Sequence, residues 1–530
     1  MTEIGHSALE AALDALPKQF PGPGGVAGVV KDGRIVATRT WGYADLDTGQ
    51  IMTTSTRLPI CSISKQFTCA VLLAAIEDPA RLDGRVAEFL PNFEGTLPTV
   101  RQLCDNQSGL RDYWALTILQ GAMAEQQFSR EDALPLLARM KTGHFEPGAH
   151  YSYCNCNYRI ICELIETETG EAIDELYRRH IWEPAGMTTA VLTPDTRRPL
   201  DGVVGYEGSD ATGFFPAQNA IYWIGDAGIS ASLEDMMSYE TWIDAGRDDE
   251  RNLYRRISVP PGFADGTPAR YGYGLAHATI AGLPFTGHSG ALRGFRAQRL
   301  NSRDARLSVV VIFNHEADCF AAATALIKAA LCARDTAPAQ IPEAWDGQWI
   351  GPDGLLSRIE TGRNSAMLRH ATAAEKMLLT AQGDLAAPNV VLSRKGGLLT
   401  MRRPGENIAT ELVAVPEVSS GNASDIAGRY VSDELDAEMM IEAQGSAAFA
   451  RFSGLLGQGR MERMAPAGLD IWILATRRSM DAPAPGDWTV VFKRDETGNV
   501  SGLTLGCWLA RNITYVRVSA SLPENGVMTG

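Results

Sequence analysis

The chain has 530 residues, of which 48 are Lys or Arg and 63 are Asp or Glu, giving a net charge of -15. Such an excess of negative charge repels a phosphate backbone, so nucleic acid is excluded as a partner. The sequence has no apolar run of roughly 18 residues, so we expect no membrane span. The length predicts about three or four domains.

The targeting and cysteine signals both favour a cytoplasmic protein. The first residues carry neither the basic nor the apolar segment of a signal peptide. The nine cysteines are an odd number and contain no C-x-x-C pair, which fits reduced thiols better than disulfides or a zinc site. H-E-x-x-H is also absent, so the sequence predicts no metal and no other cofactor.

The order of strand-like and helical patterns in residues 1–333 predicts one sheet. Its strands come from both ends of the segment, and a helical region is inserted between them. An amphipathic helix is followed by a hairpin whose turn is Asp32-Gly33. Helical periodicity dominates the middle, and strand-like runs return after Tyr271. Besides the first helix, we expect helices at 62–76, 131–141, 158–181 and 321–331, and late strands at 273–278, 283–286, 293–300 and 307–313.

The last third of the chain has a different organisation. Residues 333–344 read as a linker because they are rich in Pro and poor in apolar residues. Residues 345–415 and 426–519 then show short strands at the spacing typical of a sandwich or barrel. Both segments begin with Gly-x-aromatic, so we interpret them as a repeated antiparallel β-barrel.

Ser62-Ile63-Ser64-Lys65 is the first candidate for chemistry. In a helix Ser62 and Lys65 lie one turn apart on the same face. A serine hydroxyl needs a base to become a nucleophile, and a lysine kept neutral by burial serves as one. The neighbouring Cys61 is interpreted as small buried filler. The alternative is an ordinary helix start with an exposed lysine, so partners downstream must decide.

Two short motifs follow in the chain. Tyr153-Cys154-Asn155 precedes a helix, and His288-Ser289-Gly290 lies on a predicted strand. A literal Lys-Thr-Gly occurs at 141–143, but it lies upstream of Tyr153 at the end of a helical stretch. His288 is therefore the better candidate for the third motif.

S-x-x-K, Y-x-N and His-x-Gly, in this order, resemble the penicillin-recognising serine hydrolases, in which S-x-x-K carries the nucleophile. Segments 103–110, 145–148, 184–187, 225–232 and 271–274 resemble the class C β-lactamase and esterase branch of that family. The resemblance implies that residues 1–333 form a β-lactamase-like catalytic domain, an antiparallel sheet with helices on both faces plus a helical subdomain.

The family pattern also implies roles for the residues. Ser62 attacks the substrate carbonyl, Lys65 and Tyr153 exchange its proton, and Asn155 positions the substrate. The N-H groups of Ser62 and Ala291 hold the oxyanion. Which of Lys65 and Tyr153 is the general base stays open. His288 replaces the usual lysine, which weakens the case for substrates with a free carboxylate.

With its two trailing β domains, the chain is similar to an aminopeptidase branch of the family whose catalytic domain is followed by two antiparallel eight-stranded barrels. This implies a homodimer that hydrolyses N-terminal D-amino acids from small peptides, amides or esters through a Ser62 acyl-enzyme. It also implies that a loop at 476–487 enters the catalytic cleft. Asp481 in that loop is expected to bind the free N-terminal amine of the substrate.

Three alternatives stay open. The motifs around Ser62 equally permit an esterase or β-lactamase-like hydrolase of the same fold. A binding protein with an inactive hydrolase domain is a second possibility, although the complete set of motifs argues against it. For the loop, the alternative is a solvated tip in which Asp481 pairs with Arg477 and Arg478.

Overall fold

The computed structural model describes residues 5–333, 339–341, 345–370, 374–395, 398–475, 479–481 and 486–518. The predicted linker at 333–344 falls largely outside this part of the chain, as does residue 519, the predicted end of the second barrel. In the described part, no helix is long and apolar enough to cross a membrane.

The predicted catalytic domain, residues 1–333, contains thirteen strands and eleven helices among its described residues. The strands are β1 (Gly24–Lys31), β2 (Arg34–Asp45), β3 (Gln50–Ile51), β4 (Leu58–Pro59), β5 (Val191–Leu192), β6 (Tyr206–Ser209), β7 (Gly213–Pro216), β8 (Ile229–Ala231), β9 (Tyr271–Gly272), β10 (Leu275–Ile280), β11 (Leu283–Leu292), β12 (Phe295–Ser302) and β13 (Leu307–Phe313). The helices are α1 (His6–Gln19), α2 (Ser64–Ala75), α3 (Val100–Cys104), α4 (Tyr113–Leu119), α5 (Arg130–Ala138), α6 (Asn155–Thr169), α7 (Ile173–Tyr177), α8 (Glu183–Ala185), α9 (Leu233–Ala245), α10 (Leu253–Ile257) and α11 (Cys319–Ala330).

The main sheet joins strands from both ends of this region, as predicted. Its order is β3-β2-β1-β13-β12-β11-β10-β9, and β1 pairs antiparallel with β13 through Gly28 and Val310. The predicted hairpin is present, with Asp32 and Gly33 both at positive φ in the turn between β1 and β2. A two-residue hairpin turn requires this conformation, which Asp-Gly adopts readily.

Helices cover both faces of the sheet because its strands are apolar on both sides. Val309 and its neighbours pack against α1 and α11 on one face. Val310 points the other way and joins the core formed with α2 and α9. α2 therefore lies directly under the sheet, and its N-terminal end approaches β11.

Two predicted helices differ from the structure. The stretch 158–181 is broken into α6 and α7, because Gly170 caps α6 in the left-handed conformation at φ 70°. Ser62 lies in a 3-10 turn, Cys61–Ile63, immediately before α2 rather than inside it. Cys61 has φ 52°, a conformation that an α-helix does not contain.

The first barrel is a closed ring of eight antiparallel strands in which β14 pairs with β21. The strands are β14 (Gly347–Ile350), β15 (Leu356–Thr361), β16 (Ala366–His370), β17 (Ala374–Leu379), β18 (Leu385–Ala387), β19 (Val390–Lys395), β20 (Leu398–Arg403) and β21 (Ile408–Ala414). It has a core of its own around Leu368, Leu392 and Met401.

The second barrel follows α12 (Ala423–Ile426) and closes where β23 pairs with β24. Its strands are β22 (Gly428–Ser432), β23 (Ala437–Gln444), β24 (Ala447–Gly454), the two-residue β25 (Gly457–Gln458), β26 (Glu462–Gly468), β27 (Ile471–Leu474), β28 (Trp488–Arg494), β29 (Val500–Cys507) and β30 (Ala510–Val518). The prediction of two antiparallel barrels is confirmed.

The second barrel docks on the catalytic domain, and the two share one continuous core that includes Trp114 and Tyr515. At its edge the buried Arg111 donates to the carbonyl of Arg511 at 3.0 Å, and Gln120 donates to that of Leu435 at 2.7 Å. The barrel that comes last in the chain is therefore an integral neighbour of the catalytic domain.

A buried ion pair ties the sheet to the helices beside α2. Arg299 on β12 and Glu240 on α9 are both fully buried, with Nε to Oε1 at 2.6 Å and Nη2 to Oε2 at 2.8 Å. Arg299 also donates to Gln66 of α2 at 3.0 Å. The pair thus fixes α2 against the sheet.

We expect Glu240→Gln to lower the free energy of unfolding of the catalytic domain by about 3 to 5 kcal/mol, because Arg299 is left buried without its counter-charge. Urea unfolding measures the change. The matched control is Glu438→Gln, which removes a carboxylate from an exposed ion pair with Arg429 and should change stability far less. Equal effects of the two substitutions would contradict this account.

Candidate active site

The candidate nucleophile sits on a sharp turn between β4 and α2. Ile60 before the turn donates its N-H to Ile229 of β8 at 3.0 Å, which fixes one side of it. Cys61 at φ 52° then turns the chain so that Ser62 precedes the first turn of α2. Strained backbone of this kind persists where the surroundings hold it, and it clusters at functional sites.

Lys65 lies one turn further on and is completely buried. Its Nζ has three oxygen partners: Oγ of Ser62 at 2.9 Å, Oδ1 of Asn155 at 2.8 Å and the carbonyl of Asp226 at 2.8 Å. Burial lowers the pKa of Lys65 to about 8, although the negative charges of Asp226, Asp112 and Asp481 oppose this shift. In a substantial fraction of the molecules, the Lys65 side chain is therefore a neutral amine near pH 8.

Tyr153 stands over this amine, with Nζ of Lys65 5.0 Å from the ring centroid. Burial raises the pKa of the Tyr153 phenol well above its ordinary value, while a hydrogen bond with Ser62 lowers it. The phenol is thus protonated at neutral pH.

The third motif reaches the site from β11. Gly290 must be glycine, because a Cβ there would lie 2.3 Å from the carbonyl oxygen of Ile60 and 3.1 Å from Cβ of Cys61. β11 therefore lies against the turn that carries Ser62. Ala291 is the next residue along this strand.

His288 on the same strand is buried and close to Tyr153, with ring centroids 6.0 Å apart. Its Nε2 accepts from Tyr271 Oη at 2.8 Å, because Nδ1 donates to the carbonyl of Ser289. Burial, and then the charge of Lys65, lower the pKa of His288 to about 3. The ring is neutral, and both of its nitrogens are directed to partners other than Ser62.

The second barrel closes the other side of the site. The Trp508 ring, in the turn between β29 and β30, is parallel to that of Tyr153 within 2°, with centroids 6.3 Å apart. The carbonyl of the next residue, Leu509, accepts the N-H of Asp112 at 2.9 Å. A hairpin of the last domain thus meets residues around Ser62.

Asp481 also approaches from the second barrel. Its carbonyl accepts the N-H of Arg293, just past β11, at 3.0 Å, and its Oδ1 accepts from Ser479 at 3.0 Å. Its negative charge acts on both Lys65 and Asp112. Loop residues 476–478, which include Arg477 and Arg478, and 482–485 lie outside the described part of the chain.

Comparison with known proteins identifies the family. Residues 9–331 match the beta-lactamase family model, and residues 338–516 match the model described as D-aminopeptidase, domain B. A D-aminopeptidase of Cereibacter sphaeroides is 61% identical over 96% of this chain and 99% of its own length. One from Brucella melitensis is 46% identical over 98% of this chain and 100% of its own. The chain belongs to the D-aminopeptidase family.

Solved structures support the fold of this D-aminopeptidase family member. The D-amino acid amidase of Ochrobactrum anthropi SV3 aligns over 62% of this chain and 99% of its own, with a TM-score of 0.52 at 19% identity. The octameric penicillin-binding protein homologue from Pyrococcus abyssi aligns over 77% of this chain and 99% of its own, also with a TM-score of 0.52, at 18% identity. The resemblance inferred from the sequence is confirmed.

Three residues around Lys65 escaped the sequence analysis of this family member. Asp112 caps α4 and holds Asn155, Asp226 offers its carbonyl to Lys65, and Trp508 faces Tyr153. Asp226 lies within the family-like stretch 225–232, and Asp112 follows shortly after the stretch 103–110, which was the available signal. The sequence around Trp508 carried no such signal, because its neighbour Tyr153 is more than three hundred positions away in the chain.

The literal Lys-Thr-Gly at 141–143 belongs to the domain interface. Lys141 donates to the carbonyl of Asp433 at 2.7 Å, and Thr142 hydrogen-bonds Glu434. Both partners lie between β22 and β23 of the second barrel. The motif therefore serves docking, in agreement with its rejection as the third motif.

We expect the reaction of Ser62 with an uncharged phosphonate to accelerate as pH rises through about 8. The reason is that the pKa of Lys65 is lowered, so the amine becomes neutral in that range and is able to accept the serine proton. The measurement is the second-order labelling rate against pH. Lys65→Arg, a permanent cation, should abolish the reaction; a pH-independent rate in the unaltered protein would contradict the prediction.

Proposed function

We propose that this chain is an aminopeptidase that releases N-terminal D-amino acids from small peptides, amides or esters through an acyl-enzyme on Ser62. The observation that carries the chemistry is the buried Lys65, whose Nζ lies 2.9 Å from Oγ of Ser62. The substrate class follows from membership of the D-aminopeptidase family, in which relatives of 46 to 62% identity extend over nearly the whole chain.

Acylation begins with proton transfer from the Ser62 hydroxyl to the lone pair of neutral Lys65. Oγ then bonds to the substrate carbonyl carbon, and the negative charge moves to the carbonyl oxygen, between the N-H groups of Ser62 and Ala291. As this oxyanion collapses, the C-N bond breaks and the leaving amine receives the proton from Lys65 by way of Tyr153. Water attacks the resulting ester in the same manner and releases the D-amino acid.

Lys65 is the better candidate for the base than Tyr153. Burial moves the two pKa values in opposite senses, because it disfavours the charged form of each group: the ammonium of Lys65 and the phenolate of Tyr153. The basic form of Lys65 is therefore populated near neutral pH, and that of Tyr153 is not. Tyr153 then acts as a neutral phenol that passes protons.

Asp481 supports the aminopeptidase proposal over a general esterase. Its backbone carbonyl accepts the N-H of Arg293, which follows the proposed oxyanion residue Ala291 closely in the chain, and its negative charge acts on Lys65. A carboxylate beside the scissile bond would attract the ammonium group of a free N-terminus. The neutral His288 supplies no cation for a free substrate carboxylate, which disfavours carboxypeptidase or β-lactamase activity. An inactive binding protein is disfavoured by the intact contacts of Ser62, Lys65 and Asn155.

A homodimer and a cytoplasmic location remain proposals from the sequence analysis. For the location, the support is that the nine cysteines are free thiols, of which Cys332 is exposed. Exposed free thiols persist in reducing compartments.

Ser62→Ala should reduce the rate of D-amino-acid anilide cleavage by at least about 10³-fold, because the acyl-enzyme no longer forms. A panel of D-anilides, L-anilides, simple esters and a chromogenic cephalosporin, assayed with the unaltered protein and the variant, gives the measurement. Faster turnover of esters or cephalosporin than of D-anilides would favour the alternative hydrolase. Retained activity in the variant would exclude Ser62 as the nucleophile.

Asp481→Asn should reduce kcat/KM for D-anilides by roughly 30-fold or more, because the substrate ammonium loses its counter-charge. Labelling of Ser62 by an uncharged phosphonate should continue, since that probe carries no ammonium. Glu442→Gln, which removes an exposed carboxylate from β23 of the same barrel, is the matched control. Unchanged anilide kinetics in Asp481→Asn would remove the amine-binding role.

A further inference from the structure

Asp112 is a completely buried carboxylate beside the catalytic lysine, and the steps of the mechanism do not use it. It is the N-cap of α4, and its Oδ1 accepts the N-H of Trp114 at 2.8 Å. Its Oδ2 accepts twice from Asn155: from the backbone N-H at 2.9 Å and from Nδ2 at 2.6 Å. The side chain is thus fixed by three donors.

These contacts determine which way the Asn155 amide points. An ionised carboxylate only accepts hydrogen bonds, so Asn155 must turn its NH₂ group toward Asp112. Its carbonyl oxygen is then directed at Lys65, with Oδ1 2.8 Å from Nζ. Reversing the amide would place the Asn155 oxygen against Oδ2 of Asp112 and the Asn155 nitrogen against Nζ of Lys65.

The direction of the amide decides what the neutral amine of Lys65 is able to do. A neutral amine has two hydrogens and one lone pair, and Lys65 has three polar neighbours. The two hydrogens go to the oxygens of Asn155 and Asp226, which are acceptors only, so the lone pair is left for the hydroxyl of Ser62. A reversed amide would present an N-H donor that competes with Ser62 for that lone pair.

We propose that Asp112 is a positioning residue that fixes the Asn155 amide and thereby reserves the lone pair of Lys65 for Ser62. This rests on the proposed role of Lys65 as the general base. It extends the active site to a carboxylate that touches neither the substrate nor the nucleophile.

The second barrel takes part in this arrangement. The N-H of Asp112 donates to the carbonyl of Leu509 at 2.9 Å, so the hairpin between β29 and β30 also holds this residue. Trp508, the other residue of that turn, faces Tyr153. The hairpin thereby contacts both Asp112, which orients Asn155, and Tyr153, which passes protons.

The charge state of Asp112 suits this role. Burial raises its pKa to about 7; the hydrogen bonds from Asn155 and Trp114 oppose the shift, and the negative charge of Asp481 adds to it. Asp112 and Asp226 both act on the charge of Lys65, and Arg159 acts in turn on Asp226. Asp112 is therefore mostly ionised, and then only an acceptor, near pH 8, where Lys65 becomes neutral.

Asp112→Asn is the test, because it keeps the size of the side chain. The new amide both donates and accepts hydrogen bonds, so it no longer forces the Asn155 amide into one direction. We expect the labelling rate of Ser62 with an uncharged phosphonate to fall about 10- to 100-fold. The pH midpoint of labelling should move below that of the unaltered protein, because the negative charge of Asp112 raises the pKa of Lys65. A labelling rate equal to that of the unaltered protein would overturn the proposal.

A double-substitution cycle separates positioning from general damage. In Asn155→Ala the amide is gone, so adding Asp112→Asn should slow labelling no further. Losses that multiply in the double variant would overturn the proposal. Asp105→Asn is the matched control: Asp105 is also a buried carboxylate, bound to Arg101 and to the N-H of Tyr273, and its loss should leave the midpoint in place.

Exchanging the two side chains keeps the proposal testable even where Asp112→Asn alone folds poorly. Asp112→Asn combined with Asn155→Asp places a carboxylate acceptor at Lys65 and an amide donor behind it. Labelling should recover relative to Asp112→Asn, with its midpoint raised because the new carboxylate stabilises the ammonium. Failure to recover would overturn the proposal. Phosphonate labelling needs no D-amino-acid substrate, so a protein that labels normally but does not cleave D-anilides refutes the proposed function alone.

Discussion

The burial of one amine among three oxygens is the constraint on which the active site depends. Removing Lys65 from water favours its neutral form, while Ser62, Asn155 and Asp226 hold it at hydrogen-bond distance. Each of these partners comes from a different part of the chain: the turn before α2, the start of α6 and the segment before β8. The sheet and helices are therefore arranged so that three separate segments converge on a single nitrogen.

The backbone around Ser62 shows how that convergence is achieved. Cys61 adopts φ 52°, and β11 approaches the same turn so closely that Gly290 has no room for a side chain. The buried pair of Arg299 and Glu240 keeps α2 in place beneath the sheet. Strain at Cys61 and close packing at Gly290 are both tolerated because the surrounding core, which is continuous, leaves the chain no alternative position.

The sequence predicted those parts of the site that local spacing or ordered motifs determine. Ser62 and Lys65 meet because they are three residues apart, and Tyr153, Asn155 and His288 were found through short motifs in a characteristic order. Short strand-like runs, separated by turn residues, predicted the sheet and the barrels for the same reason, since such patterns are local. The break at Gly170 was missed because apolar residues continue beyond it, and a single residue at positive φ decided the outcome.

Tertiary contacts account for the rest. Nothing in the sequence around Asp112 indicates that it faces Asn155, because the two residues belong to separate helices of the catalytic domain. Trp508 faces Tyr153 only because the second barrel docks there. Asp481 was inferred only from resemblance to the family, and composition alone favoured a solvated loop. Residues that act through a partner in a distant segment carry no local signature of their own.

The shared core has a consequence for how such proteins diversify. The first barrel has its own core, whereas the second is continuous with the catalytic domain through Trp114 and Tyr515. A recombination event that replaced the second barrel would also replace Trp508 and Leu509, which contact Tyr153 and Asp112 of the candidate active site. For genetic exchange, the catalytic domain and the last barrel are one heritable unit, although a whole domain separates them along the gene.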